Sequence, residues 1–131
     1  FTKSNNIREQ LKAASKAIKS HEHEIISLII NGTAEFPGLS KIKKIHIIGK
    51  SSANPREGVI SFYVDGISSS FVVEQLRKNN IRVHIRKNDH YCGNILTPLK
   101  LKDCIRLSIC HYNSKDEAKE FLKVINKVCD N

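Results

Sequence analysis

The chain has 131 residues, and 22 Lys and Arg against 13 Asp and Glu give a formal net charge of 22 − 13 = +9. That length suggests one domain with room for a core, and 40% apolar residues in short periodic blocks exclude global disorder. No apolar run approaches the ~20 residues of a membrane span; the longest, Ile25–Ile30, is interrupted by Ser27.

Phe1–Gln10 has no apolar h-region of the secretory type. The absence of Met leads us to expect that residues 1–131 form a single domain processed or cut from something longer. Residues Ile7 to about Ile30 read as one long helix, because Ile7, Leu11, Ala14, Ile18, Ile25 and Leu28–Ile29 recur at steps of three and four. Asn5 or Asn6 caps its start, and Asn31–Gly32 supplies a left-handed stop before Pro37–Gly38. A helix this long in a small chain often leans on a second body.

Lys44–Ile48 reads as a strand and Gly49–Gly58 as a loop. Val59–Val64 is a strand with Ile60, Phe62 and Val64 on one face. Asp65–Gly66 turns the chain into a helix capped by Ser68 or Ser69 and running to about Asn79, with Val72, Val73 and Leu76 inward. Asn80 takes the left-handed position that ends it. Arg82–Arg86 alternates, Val83 and Ile85 against Arg82, His84 and Arg86. Lys87–Asp103 is long and irregular, a class of loop that is functional, mobile or partly helical. Cys104–Ile109 is a strand with Ile105, Leu107 and Ile109 on one face and Arg106 and Ser108 on the other. The capping box Ser114-x-x-Glu117 opens a last helix through Ala118, Phe121, Leu122, Ile125 and Val128. The order α-β-β-α-β-β-α predicts an α+β fold: a two-layer α/β sandwich whose small, mainly antiparallel sheet carries helices on one face.

Two side chains stand out for chemistry. Arg106 projects from a strand face opposite three aliphatics, where the guanidinium fork suits a planar carboxylate; the alternative is a simply solvated face. Cys92 lies in the irregular loop beside His90 and near Arg86 and Lys87, where positive charge favours a thiolate; the alternative is an ordinary loop cysteine. Cys104, Cys110 and Cys129 read as small core or surface residues. With no C-x-x-C pair, the four cysteines are expected as reduced thiols in a cytoplasmic compartment. The six His make no metal site by spacing: His21-x-His23 sets its rings ~200° apart on a helix. Whether His84, His90 and His111 converge is left open. No phosphate loop, Ser–His–Asp signature or H-E-x-x-H is present.

A pI near 9.5 points toward nucleic acid or an anionic surface, with Lys41, Lys43 and Lys44 the densest run. With no Trp, three Tyr and no RGG, HTH or RNP-like pattern, a free-standing basic nucleic-acid-binding module stands as the alternative reading. A structural or dimerisation domain using the exposed side of the first helix is the third.

The residues Gly58-Val-Ile-Ser-Phe, Asn80-Ile-Arg-Val, His90-Tyr91-Cys92 and Arg106-Leu-Ser-Ile-Cys-His-Tyr112-Asn113-Ser114 resemble the C-terminal small domain of class V aminotransferases, in the cysteine desulfurase and selenocysteine lyase branch. There the pattern reads G-V-V-S-F, G-I-x-V-R, H-H-C-A and R-A-S-x-x-x-Y-N-T. His21-Glu22-His23-Glu24 and Phe36-Pro37-Gly38 resemble further family positions, so nearly the whole chain is covered. Arg82-Val83-His84-Ile85-Arg86 resembles a related branch that has no required Cys. The resemblance implies that Arg106 binds the α-carboxylate of an amino-acid substrate, helped by His90, and that Cys92 carries a persulfide. It implies that Tyr112-Asn113-Ser114 shape the turn into the last helix. It also implies a pyridoxal-phosphate-dependent, homodimeric parent enzyme whose cofactor is bound mainly by a large domain outside this chain. On that reading these residues supply a substrate clamp and a mobile lid and are inactive alone; nucleic acid and membrane are not expected partners.

Overall fold

The computed structural model describes residues 3, 5–53 and 56–130. Helix α1 (Ile7–Asn31) starts where the Asn6 side chain accepts the Arg8 amide, and it ends at Gly32, whose φ of 88° leaves its N–H free to reach Leu28 O. A short 3-10 turn (Leu39–Lys41) leads to strand β1 (Ile45–Ile47) and, after a loop, to strand β2 (Val59–Val64). Of the loop expected at Gly49–Gly58, Asn54 and Pro55 lie outside the described residues. Helix α2 (Ser69–Lys78) is capped by the Ser68 hydroxyl and stops before Asn80, which takes φ 61°. Strand β3 (His84–Lys87), short helix α3 (Gly93–Leu96), strand β4 (Asp103–Ser108) and helix α4 (Lys115–Asp130) complete the chain.

The strands form one antiparallel sheet in the order β1-β2-β4-β3. Its side chains divide strictly by parity. Ile60, Phe62 and Val64 of β2 and Ile105 and Leu107 of β4 are buried, and they meet Ile25, Ile26, Ile29 and Ile30 of α1, Val72 and Leu76 of α2, and Phe121, Leu122 and Ile125 of α4 in one continuous core. Phe62 and Phe121 pack edge to face, with ring centres 6.4 Å apart. The other face of the sheet carries Ser61, Tyr63, Cys104, Arg106, His84 and Arg86. Thus the α+β two-layer architecture and the face carrying Arg106 agree with the alternation in the sequence.

The capping box forms as spaced: Ser114 N–H donates to Glu117 Oε2 (2.7 Å) and Glu117 N–H to Ser114 Oγ (3.1 Å). Gly58 meets a packing constraint that the sequence alone does not reveal. Its carbonyl accepts the Ile109 N–H at 2.6 Å, and a Cβ there would sit 2.2 Å from Ile109 O.

One boundary shifts, and two other elements are specified further. The strand predicted at Arg82–Arg86 is found at His84–Lys87, because Arg82 would stand opposite Ser108, where β4 ends and Ile109 bonds back to Gly58 instead. The irregular loop contains α3. The apolar stripe of α1 is only half used: Ile7, Leu11 and Ile18 are 72%, 65% and 38% exposed, and the seam into the core begins at Ile25. The cause is length. At 1.5 Å per residue, 25 residues span ~37 Å, against ~24 Å for the 16-residue α4 beside it.

Urea unfolding tests this division. Phe62→Ala is expected to cost about 3–5 kcal/mol and Ser114→Ala about 1 kcal/mol, whereas Leu11→Ala leaves the midpoint nearly unchanged.

Candidate functional site

The open face of the sheet is the floor of a hollow of about 750 Å³. Ser61, Arg106 and His84 stand in one row across β2, β4 and β3; Cys104 and Arg86 stand opposite each other in the next. The loop between β3 and β4 folds back as one wall, bringing Tyr91, Cys92, Ile95 and Leu96 over the floor, while Ile48, Gly49 and Arg56 form the other.

The wall is built locally. Asp89 accepts the amide hydrogens of Tyr91 and Cys92 on the same carboxylate oxygen, both at 3.0 Å, and these bonds hold its pKa below the usual carboxylate range. Asn88 ties the loop's two ends by donating to Leu101 O and Thr97 Oγ1, each at 3.1 Å. Leu96 is buried and pins the short helix to the body.

The electrostatics of the hollow are one-sided. Among the described residues three guanidiniums line it, from Arg56, Arg86 and Arg106, and no carboxylate does. Arg56 is committed to the backbone, donating to Ser52 O, Val59 O and Lys50 O. Arg106 is not: its Nε is buried and has no hydrogen-bond partner among the described residues. A buried donor left unmade costs about 1–3 kcal/mol, more when charged, so this atom points to a ligand group that satisfies it. A carboxylate, accepting two parallel donors, has the matching shape.

The structure therefore brings Arg106 and Cys92 into one hollow. It does not bring His90 there; that ring is exposed and lies against Tyr91, centroids 3.8 Å apart. Tyr112 and Asn113 lie at a second hollow, of about 760 Å³, together with Arg82, His84 and the acidic Asp116, Glu117 and Glu120. Asn113 Oδ1 accepts the Cys110 N–H, and its carbonyl is bonded by His21 Nε2 at 2.8 Å, so these residues hold the turn between β4 and α4 to the first helix. The His residues do not converge on a metal: among the described residues no three His, Cys, Asp or Glu side chains are placed to hold one. Of the basic run, Lys44 is committed to Cys129 O at 2.6 Å, at the C-terminal end of α4.

Two participants escaped the sequence reading. Cys104, expected as a core or surface residue, is buried and yet lines the hollow. Arg86 was placed on a strand face, but only the β3–β4 register sets it beside Arg106; no local pattern signals that pairing.

All four cysteines are free thiols. Burial, above all, pushes the Cys104 and Cys129 thiols up from the ordinary 9.0.

These features have known counterparts. The class-V aminotransferase model matches residues 7–121. The chain belongs to that family. It is 28% identical over 88% of its length to a probable cysteine desulfurase of Mycobacterium leprae, and 30% identical over 89% to a cysteine desulfurase of Synechococcus elongatus. It spans only 26% and 17% of those proteins. Among solved structures, the apo cysteine desulfurase of Thermococcus onnurineus superposes on 95% of the chain with a TM-score of 0.78 at 23% identity, over 29% of its own length. A cysteine desulfurase of Escherichia coli superposes with a TM-score of 0.68 at 17% identity. The sheet and its helices are thus a class-V, cysteine-desulfurase-like domain, with the fold of a subdomain of fold-type I pyridoxal-phosphate enzymes. No helix among the described residues is long and apolar enough to cross a membrane.

Pyridoxal phosphate is the group this kinship implies, and the hollow does not fit it. Among the described residues no lysine lines the hollow to bind an aldehyde and no carboxylate lines it to pair with a pyridinium. What the lining offers is cationic donors for an acid.

The raised thiols set an alkaline limit on stability. Above pH ~9 the unfolded chain loses thiol protons that the folded chain keeps, so stability falls as pH rises through the folded pKa values. The urea midpoint is expected to drop between pH 8 and pH 10, and less steeply in Cys104→Ala/Cys129→Ala than in the native chain.

Proposed function

We propose that this chain is the C-terminal small domain of a pyridoxal-phosphate-dependent enzyme of the cysteine desulfurase or class V aminotransferase kind, in which Arg106 grips the α-carboxylate of the amino-acid substrate. The observation that carries this reading is the orphaned, buried Nε of Arg106 on the floor of a hollow without acids. The cofactor belongs, on this reading, to the rest of a homodimeric, cytoplasmic parent enzyme, where it supplies an electron sink for the amino acid. The small domain fixes one end of the substrate on a rigid strand, so that the bonds to be changed are held in one orientation.

Cys92 is the finer part of the proposal. It faces the same hollow as Arg106, on the wall that Asp89 organises. A substrate with a β-thiol, held by its carboxylate, would lose its C–S bond there; the sulfur bonds to Cys92 Sγ, and carbon takes a proton in its place. The thiol and cysteine become a persulfide and alanine, with no outside oxidant or reductant needed. His90, on the outer side of the loop, is proposed to act at the rim, where its ring braces Tyr91.

In the full-length enzyme, Arg106→Gln is expected to weaken amino-acid binding by about 10²-fold, the scale of a lost charge-assisted bidentate pair, without changing cofactor absorbance. Cys92→Ser should abolish persulfide formation and leave the spectral response to substrate intact. Unchanged substrate affinity in Arg106→Gln contradicts the clamp; unchanged sulfur release in Cys92→Ser removes the thiol's role.

A further inference from the structure

Arg106 is one of two uncommitted guanidiniums in the hollow. Arg86, on the adjacent strand β3, makes no hydrogen bond or ion pair among the described residues, in contrast to Arg56, which gives three donors to backbone carbonyls. The register places Arg86 opposite Cys104 and His84 opposite Arg106, so the two arginines are diagonal neighbours on one face, roughly 7–8 Å apart at the backbone. Both are half-buried. Neither has an acid to answer it among the described residues, because the lining they form holds no Asp or Glu.

Two like charges side by side in a sheltered hollow repel each other, and partial burial weakens the water screening that softens this. A chain with 13 acidic residues has carboxylates to spare, and it places none here. A monocarboxylate bound at Arg106 would leave Arg86 uncompensated. A ligand with a second acid group at the end of a short side chain would neutralise both.

We infer that the hollow takes a short dicarboxylate: an amino acid with an acidic side chain, its α-carboxylate on Arg106 and its distal carboxylate on Arg86. The assignment rests on the reading of Arg106 as a carboxylate clamp and names the substrate class of that site. It takes the aminotransferase side of that reading, and it replaces the β-thiol substrate that sulfur transfer to Cys92 would need. Arg86 is then a specificity residue: it adds nothing to the grip on the α-carboxylate and everything to the preference for a second acid. Arg56 holds the loop and raises the potential of the whole hollow without giving up a donor.

The test is a calorimetric titration of the full-length protein carrying this chain, with succinate and with succinamate at one ionic strength. These probes have the same shape and differ by one charge. Succinate is expected to bind at least about tenfold more tightly, the low end for a charge-assisted hydrogen bond. Arg86→Gln should reduce that preference to less than about threefold and leave succinamate binding unchanged, whereas Lys102→Gln, an exposed loop charge, should leave the preference intact. Equal affinities for the two probes, or a preference untouched by Arg86→Gln, overturn the dicarboxylate assignment while the clamp stands. Succinamate binding unaffected by Arg106→Gln, or no saturable binding of either probe, overturns the clamp itself.

Discussion

The alternation of side chains along β4 is the constraint on which the rest depends. Cys104, Ile105, Arg106, Leu107 and Ser108 occupy consecutive positions, and a strand sends them to opposite faces by turns. Ile105 and Leu107 are buried under the helices. Their burial contributes about 1.5–3 kcal/mol each and fixes the register, since a slip by one residue would drive Arg106 into the core. The apolar face thus aims the guanidinium: Arg106 points into the hollow because its neighbours in sequence do not. A functional group on the middle strand of a sheet is held more stiffly than one on a loop, as a carboxylate clamp requires.

The hollow is in turn a product of connection length. β3 and β4 are antiparallel neighbours, yet the chain between them runs far beyond a tight hairpin. The extra residues fold back over the open face and roof it with Tyr91, Cys92 and Ile95. Asp89 and Asn88 replace the missing regular structure with side-chain-to-backbone bonds. Beneath them, guanidiniums without acids and a buried Nε without a partner are unfavourable for folding, and such local inconsistency is characteristic of a binding surface.

Much of this was legible in the residue pattern. Strand β2, the Ser68 cap, the Asn80 turn and the Ser114/Glu117 box stand where local rules put them, because each is decided by neighbours within a few positions. The motif resemblance carried the family, and the fold with it. What local rules missed depends on distance in three dimensions. The limits of β3 were set by where β4 ends, not by the alternation of Arg82–Arg86. Leu11 and Ile18 share the apolar stripe of α1 yet stand exposed, because periodicity records an apolar face without saying what covers it. The pairing of Arg86 with Arg106, and the entry of Cys104 into the hollow, follow from the register of strands separated by an irregular loop. His90 sits two residues before Cys92 in sequence, yet the turn at Asp89 sends the two side chains different ways.

The central claim is that Arg106 holds the acid end of an amino acid. It is tested most directly by a crystal structure of the full-length protein carrying this chain, with a bound amino-acid ligand. The account predicts both carboxylate oxygens within about 3 Å of the Arg106 guanidinium nitrogens, on the floor of the hollow beneath Cys92. A ligand bound elsewhere, with Arg106 closed in an ion pair to an Asp or Glu from the remainder of the protein, would contradict it.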